Sequence, residues 1–210
     1  MGKIKNKFYL QFLKEGVIQI LNIDQINEAL NKVSGKYARE GRALICAAYL
    51  TGARPSEYLD LIAKNISKDK SYIIVQMKGT KGGLPRPIYL QSKNPLAMEL
   101  YNFSIGCFPE ALLFPNYRNS YVREVNKNGI IKHREEISDK LRYYFKRWFS
   151  HLEGGLSPYF LRHNRFSSLA TKGIDDNTLM QLKGSRTFQS IQSYKHLSTK
   201  SAKDVAKKIV

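Results

Sequence analysis

Thr51-Gly52-Ala53-Arg54-Pro55-Ser56-Glu57 interrupts a stretch, residues 42–50, that is apolar on every side. A helix with no polar face belongs inside a core, so 42–50 reads as a central buried helix that stops at Thr51-Gly52. Pro55 fits the first turn of a following helix, where its missing N–H costs nothing. An arginine at the junction of two packed helices is held rigidly. Glu57, one turn further on, is placed to brace the guanidinium of Arg54.

Upstream, Asp24 opens a helix with Ile26, Ala29, Leu30 and Val33 on one face, ending near Gly35. Residues 1–21 read as a leader or linker remnant. Downstream, Ser71–Met77 is strand-like, Gly79, Gly82 and Gly83 make a turn, and Pro85–Leu90 returns as a second strand. Its prolines suit only a sheet edge. Residues 108–134 are rich in turn formers and receive no assignment. From Glu135 to Leu152 the spacing of Ile137, Leu141, Phe145, Trp148, Phe149 and Leu152 is helical. Short helices are then expected over about 160–172, from Asp175 or Asp176 to Gly184, and over 190–197. Ala202, Val205, Ala206 and Ile209 stripe a charged tail helix over 198–210. The expected fold class is mainly α with a small antiparallel sheet.

The 210 residues carry 35 Lys and Arg against 17 Asp and Glu, a formal charge of +18. That excess points to a polyanion as partner, above all nucleic acid. Two cysteines and four scattered histidines make no zinc signature, and Cys46 reads as a small buried hydrophobe. No apolar stretch is long enough to span a membrane or drive secretion, so the expected location is cytoplasmic and DNA-associated, with no membrane partner.

Three further segments carry chemistry. Lys78 lies in Met77-Lys78-Gly79-Thr80-Lys81-Gly82 at the hairpin tip, which lacks the spacing of a phosphate-cradling loop. Ser157-Pro158-Tyr159-Phe160-Leu161-Arg162-His163 enters a helix. Tyr194-Lys195-His196 follows Gly184-Ser185. Two arginines stay charged at any working pH and can clamp phosphate oxygens at two points. A phenol is a competent nucleophile once its proton is removed, and a lysine can protonate a departing oxygen.

The order of these segments resembles the catalytic domain of the tyrosine recombinases, the superfamily of phage integrases and chromosome-dimer resolvases. Residues 51–57, 77–81, 157–163 and 184–196 match the family's successive motifs. Lys78 follows Arg54 by 24 residues and Tyr194 follows Arg162 by 32, both fitting the family. The resemblance covers roughly residues 22–200. It implies a catalytic domain over 22–197, with the family's N-terminal core-binding domain absent from this chain.

By that resemblance Arg54 and Arg162 would clamp a scissile phosphate, Lys78 would protonate the leaving 5′ oxygen, and Tyr194 would form a 3′-phosphotyrosine link. Glu57, His163 and His196 match supporting positions. Lys81, Arg86, Lys183 and Arg186 are expected on the DNA. The implied partners are double-stranded DNA bearing a specific site and further copies of the chain, as a homotetramer on DNA. No metal or other cofactor is implied.

Two positions depart from the pattern. Tyr159 stands where the family most often has His, and Ser185 where it has His or Trp. A phenol with a reference pKa of about 10 is a poor base near neutrality, which leaves the general base unassigned. A DNA-binding protein on the same scaffold without chemistry, a type IB topoisomerase-like enzyme and an unrelated basic RNA-binding protein stay open as alternatives. Abundant Lys, Asn and Ile hint at a low-GC virus or plasmid.

Overall fold

The computed structural model describes residues 20–79, 83–118, 122–127, 130–135, 139–152, 155–192 and 194. Helix α1 (Ile23–Asn31) begins one residue before the expected Asp24 because Asn22 is the better cap. The Asn22 side chain accepts from the Gln25 N–H at 2.9 Å, and Gln25 returns the bond to the Asn22 N–H at 3.0 Å. This reciprocal arrangement satisfies two donors that an open helix end would leave bare. Ile26, Ala29 and Leu30 turn inward.

Helix α2 (Ala38–Thr51) is the buried centre. Cys46 is fully enclosed within it. Gly52 caps it in the left-handed region, φ 58°, with its N–H on the Ala48 carbonyl at 3.2 Å, a conformation glycine adopts without steric cost. The chain turns there into α3 (Pro55–Leu59), with Pro55 in its first turn.

A three-stranded antiparallel sheet follows: β1 (Ile66–Lys68), β2 (Tyr72–Met77) and β3 (Arg86–Gln91), in that spatial order. The expected hairpin is therefore present with one additional short strand on its far side. Strand β3 forms the edge and carries Pro87 with an outward side chain, as the prolines required. Ile73, Val75 and Met77 from β2, and Ile88 and Leu90 from β3, line the inner face. Arg86 shares their parity and pairs across the strands with Met77.

Helix α4 (Pro95–Ser104) received no expectation from the sequence. Asn94 caps it by accepting from the Leu96 and Ala97 N–H groups. It packs along α2, where Arg42 grips Glu99 with two guanidinium nitrogens. Glu40, also on α2, is buried but receives the backbone and side-chain N–H groups of Asn116 at 2.9 and 2.7 Å.

A second hairpin, β4 (Val122–Lys127) with β5 (Ile130–Glu135), fills much of the region left unassigned. Helix α5 (Asp139–Trp148) buries Leu141, Phe145 and Trp148, the residues whose spacing announced it. Helix α6 (Pro158–Thr171) starts two residues before expected and lies against α2. Helix α7 (Asp176–Lys183) is capped by Asp175 and stopped by left-handed Gly184. A short 3-10 turn, Phe188–Ser190, leads to Tyr194. The leader and the tail-helix expectations, like the end of the 190–197 helix, fall outside the described residues. No helix among the described residues is long and apolar enough to cross a membrane.

Helix α2 can pass so close to its neighbours because Gly41 has no side chain. A Cβ there would sit 2.8 Å from the Tyr117 hydroxyl, 2.9 Å from Val33 Cγ1 and 3.0 Å from Trp148 Cζ2. Gly41→Val should therefore destabilise the fold by about 1–3 kcal/mol through overpacking, outweighing any gain in helix propensity. A lowered urea midpoint with an unchanged m-value would show it.

Candidate active site

The site is organised around one carboxylate. Glu57, on α3, is 1% exposed. Its Oε2 accepts from the Arg54 backbone N–H at 2.7 Å, and its Oε1 receives Arg54 Nη1 at 3.1 Å. Arg86 reaches the same carboxylate from β3 with both Nη atoms, at 3.3 and 3.1 Å. Arg162 Nη1, from α6, stands 3.7 Å from Oε2 as an ion pair. Burial alone would raise the Glu57 pKa. The Arg86 and Arg54 hydrogen bonds and the charges of Arg86 and Arg162 outweigh it and hold the carboxyl below its ordinary range.

Arg162 is fixed at both ends. Its Nη1 donates to the Gly52 carbonyl at 2.8 Å and its Nη2 to the Lys183 carbonyl at 2.9 Å. One guanidinium thus joins the end of α2, the body of α6 and the last turn of α7. Burial, followed by the neighbouring Arg54 charge, lowers Arg162 to about 10, so it stays protonated at neutral pH.

The hairpin is sewn to the same place. Arg86 Nε donates to the Leu182 carbonyl at 2.6 Å, and the Leu84 N–H donates to the Gly184 carbonyl at 3.1 Å. Gly184 has φ 65°, and a Cβ on it would lie 2.4 Å from Arg86 Nη1. Only a residue without a side chain lets the guanidinium pass.

Tyr194 lies beside this cluster, 2% exposed, packed with Phe166, Ala170, Leu179 and Ile191. Its phenol oxygen is 2.9 Å from His163 Nδ1. The Lys183 ammonium sits 4.9 Å from the Tyr194 ring centroid, a cation–π contact, and donates to the Ser190 carbonyl. Burial first, then Arg162 and Arg54, lowers Lys183 to about 8. Burial first, then Lys183 and Arg162, lowers His163 to about 4. The imidazole is neutral at neutral pH. Among the described residues, Arg54, Arg86, Arg162 and Lys183 share a region with the one carboxylate of Glu57, and the surplus charge suits an anion.

Of the residues singled out in the sequence, Arg54, Glu57, Arg86, Arg162, His163, Lys183 and Tyr194 come together. Arg86, expected on DNA, is buried instead, with its N–H groups turned to Glu57, Leu182 and Leu84. Inward parity with Ile88 and Leu90 was the signal that could have placed it. Lys78 is exposed one residue beyond β2, and among the described contacts none joins it to the cluster. Tyr159 is 41% exposed, and Ser185 is half-buried with its N–H on the Met180 carbonyl. Arg186 is exposed. Lys81 and His196 fall outside the described residues.

Removing the carboxylate would leave buried guanidiniums facing one another. Glu57→Gln should cost about 3–5 kcal/mol of stability. The pH sign follows from the depressed acidity. The carboxylate's contribution is complete above its unfolded value of 4.5 and is lost as pH falls through the lower folded value. Thermal unfolding followed across acid pH should show a steeper decline in the wild type than in Glu57→Gln.

Residues 17–201 match the model of the phage integrase family. Tyrosine recombinase XerC of Lactobacillus delbrueckii subsp. bulgaricus is 25% identical over 182 residues, covering 84% of this chain and 56% of that protein. Tyrosine recombinase XerD of Listeria monocytogenes is 27% identical over 198 residues, covering 92% and 63%. The chain thus spans between half and two thirds of the length of these relatives. Among solved structures, a post-cleavage complex of the XerH site-specific recombinase bound to a palindromic difH substrate aligns with a TM-score of 0.62 at 20% identity, covering 89% of this chain and 52% of that one. A XerA recombinase aligns at 0.59 and 16% identity, covering 91% and 63%. Those structures share the fold: mainly helical, with a small antiparallel sheet. With Arg54 and Arg162 among the arginines gathered on Glu57 and its motifs in the expected order, the chain belongs to the phage integrase family and carries the tyrosine-recombinase catalytic domain.

Proposed function

We propose that this chain catalyses site-specific strand cleavage and rejoining in double-stranded DNA through a 3′-phosphotyrosine at Tyr194. The observation that carries this reading is the convergence of Arg54 and Arg162 on one buried carboxylate, with the phenol of Tyr194 beside them. Glu57 holds the guanidiniums at fixed positions, so little reorganisation is needed when charge gathers on the phosphate. Arg54, with a quarter of its side chain exposed, is the member facing solvent.

The phenolate oxygen attacks phosphorus, and the bond to the 5′ oxygen breaks. Lys78, on the hairpin, gives that oxygen its proton. The phosphotyrosine keeps the energy of the phosphodiester, so a 5′-hydroxyl from another strand can reverse the step without ATP. Arg86 serves this reading as a brace for the arginines rather than as a phosphate contact. Exposed Arg186, together with Lys81 and a basic chain of +18 overall, supplies the attraction for the duplex. Exchange of strands between two duplexes requires several protomers, and a homotetramer on DNA is the assembly this reading entails.

Because Tyr194 is enclosed, the packing of Phe166, Leu179 and Ile191 around it has to open for a phosphate at the arginines to meet its oxygen while that oxygen stays on His163. The enclosed phenol and the departures at Tyr159 and Ser185 also favour a second reading, a DNA-binding scaffold without chemistry. Nicked suicide duplexes tiling the DNA on either side of the chain's own gene separate the two. The enzyme reading predicts a covalent protein–DNA band that disappears in Tyr194→Phe and forms about 10²–10³-fold more slowly in Arg54→Ala. A mobility shift without any covalent band on the whole panel would favour the scaffold, and a band surviving in Tyr194→Phe would exclude Tyr194 as nucleophile.

A further inference from the structure

We infer that His163 is the catalytic base that takes the phenol proton of Tyr194, the role that Tyr159 and Ser185 leave open. The inference rests on the proposed phosphotyrosine chemistry and names a member of that machinery which the sequence placed only among supporting residues.

The geometry is direct. His163 Nδ1 and the Tyr194 phenol oxygen are 2.9 Å apart, within the reach a general base needs. With the ring proton on Nε2, Nδ1 accepts the phenol hydrogen. Tyr159 is 41% exposed and Ser185 bonds through its backbone N–H to the Met180 carbonyl, whereas His163 meets the phenol oxygen directly. His163 also follows Arg162 directly on α6, so the residue that would grip the phosphate and the residue that holds the nucleophile sit on the same turn.

The electrostatics make the base conditional. Burial first, then, among the described residues, the charges of Lys183, from α7, and of Arg162, from its own helix, keep the imidazole neutral, near 4. A neutral ring is an acceptor with its lone pair available. An anionic phosphate placed against Arg162 offsets part of that positive field and raises the basicity of the ring when substrate is present. In the step itself the phenol O–H bond breaks and its proton passes to Nδ1, giving an imidazolium. The phenolate oxygen forms its bond to phosphorus, and the electrons of the broken P–O bond leave on the 5′ oxygen, which is protonated by Lys78. Rejoining runs the transfers backwards, with the imidazolium returning the proton to the phenol.

The test is single-turnover formation of the covalent band on the suicide duplexes. It compares the wild type, His163→Ala and His163→Gln, each with Tyr194 as tyrosine or as a ring-fluorinated tyrosine of lower phenol pKa. His163→Gln fills the site and can accept a hydrogen bond but cannot carry the proton away, which separates base catalysis from folding. Both variants should cleave about 10²–10⁴-fold more slowly. Their rates should climb with pH toward the phenol pKa, and fluorination should restore most of the loss. Variants that cleave at the wild-type rate or faster would make His163 only a latch on the docked tyrosine and overturn the inference. Slow variants indifferent to pH and to fluorination would overturn it too, since a purely structural lesion behaves that way. A wild-type chain that forms no covalent band would instead remove the phosphotyrosine reading on which the inference stands.

Discussion

A single buried carboxylate holds the site together. Glu57 is out of contact with water, and a charge in that position survives only when it is paired and hydrogen-bonded. Its partners arrive from three separate parts of the chain: Arg54 from the turn after α2, Arg86 from strand β3 and Arg162 from helix α6. None of these guanidiniums could sit so close to the others without the negative charge between them. The carboxylate therefore fixes where the elements meet and where the arginines point. Carbonyl oxygens complete the arrangement, with Gly52 and Lys183 on Arg162, and Leu182 on Arg86. Two of the left-handed glycines occur where this network needs them, Gly52 to present a carbonyl and Gly184 to clear a path for Arg86.

The same network governs what surrounds Tyr194. Cations outnumber the carboxylate, and the excess is felt at His163 and Lys183. His163 is held neutral, and Lys183 is lowered toward 8 while its ammonium lies over the tyrosine ring. The phenol is packed among Phe166, Leu179 and Ile191 with its oxygen on His163. A phosphate bound at the arginines would change the balance of charge in this neighbourhood more than anywhere else in the domain. In the proposed reaction, positioning and proton transfer are coupled through one field.

The fold was legible where local patterns were strong. Helix α2 could be read because residues 42–50 are apolar all round and end at a glycine, and α5 because its aromatic residues recur at helical spacing. The prolines marked β3 as an edge. Helix α4 was missed although Asn94-Pro95 supplies a cap and a first-turn proline. The hairpin of β4 and β5 escaped because VREVNK and IIKHRE hardly alternate between apolar and polar, so the period-2 signal is weak. Within the site, the pairing of Arg54 with Glu57 followed from one turn of helix. The arrival of Arg86 and Arg162 at the same carboxylate did not, because contacts between distant positions leave no local pattern. The enclosure of Tyr194 was equally silent, since a tyrosine has both a polar tip and an apolar body.

In the proposed reaction the arginines gathered by Glu57 neutralise one phosphate during cleavage. That neutralisation is tested most directly by replacing a non-bridging oxygen of the scissile phosphate with a methyl group, which removes the charge they would meet. If the account is right, Arg54→Ala slows covalent-band formation strongly on the natural phosphate and little on the methylphosphonate. An equal penalty on both substrates would mean that Arg54 acts elsewhere, and the phosphate would have to be sought at another surface of the domain.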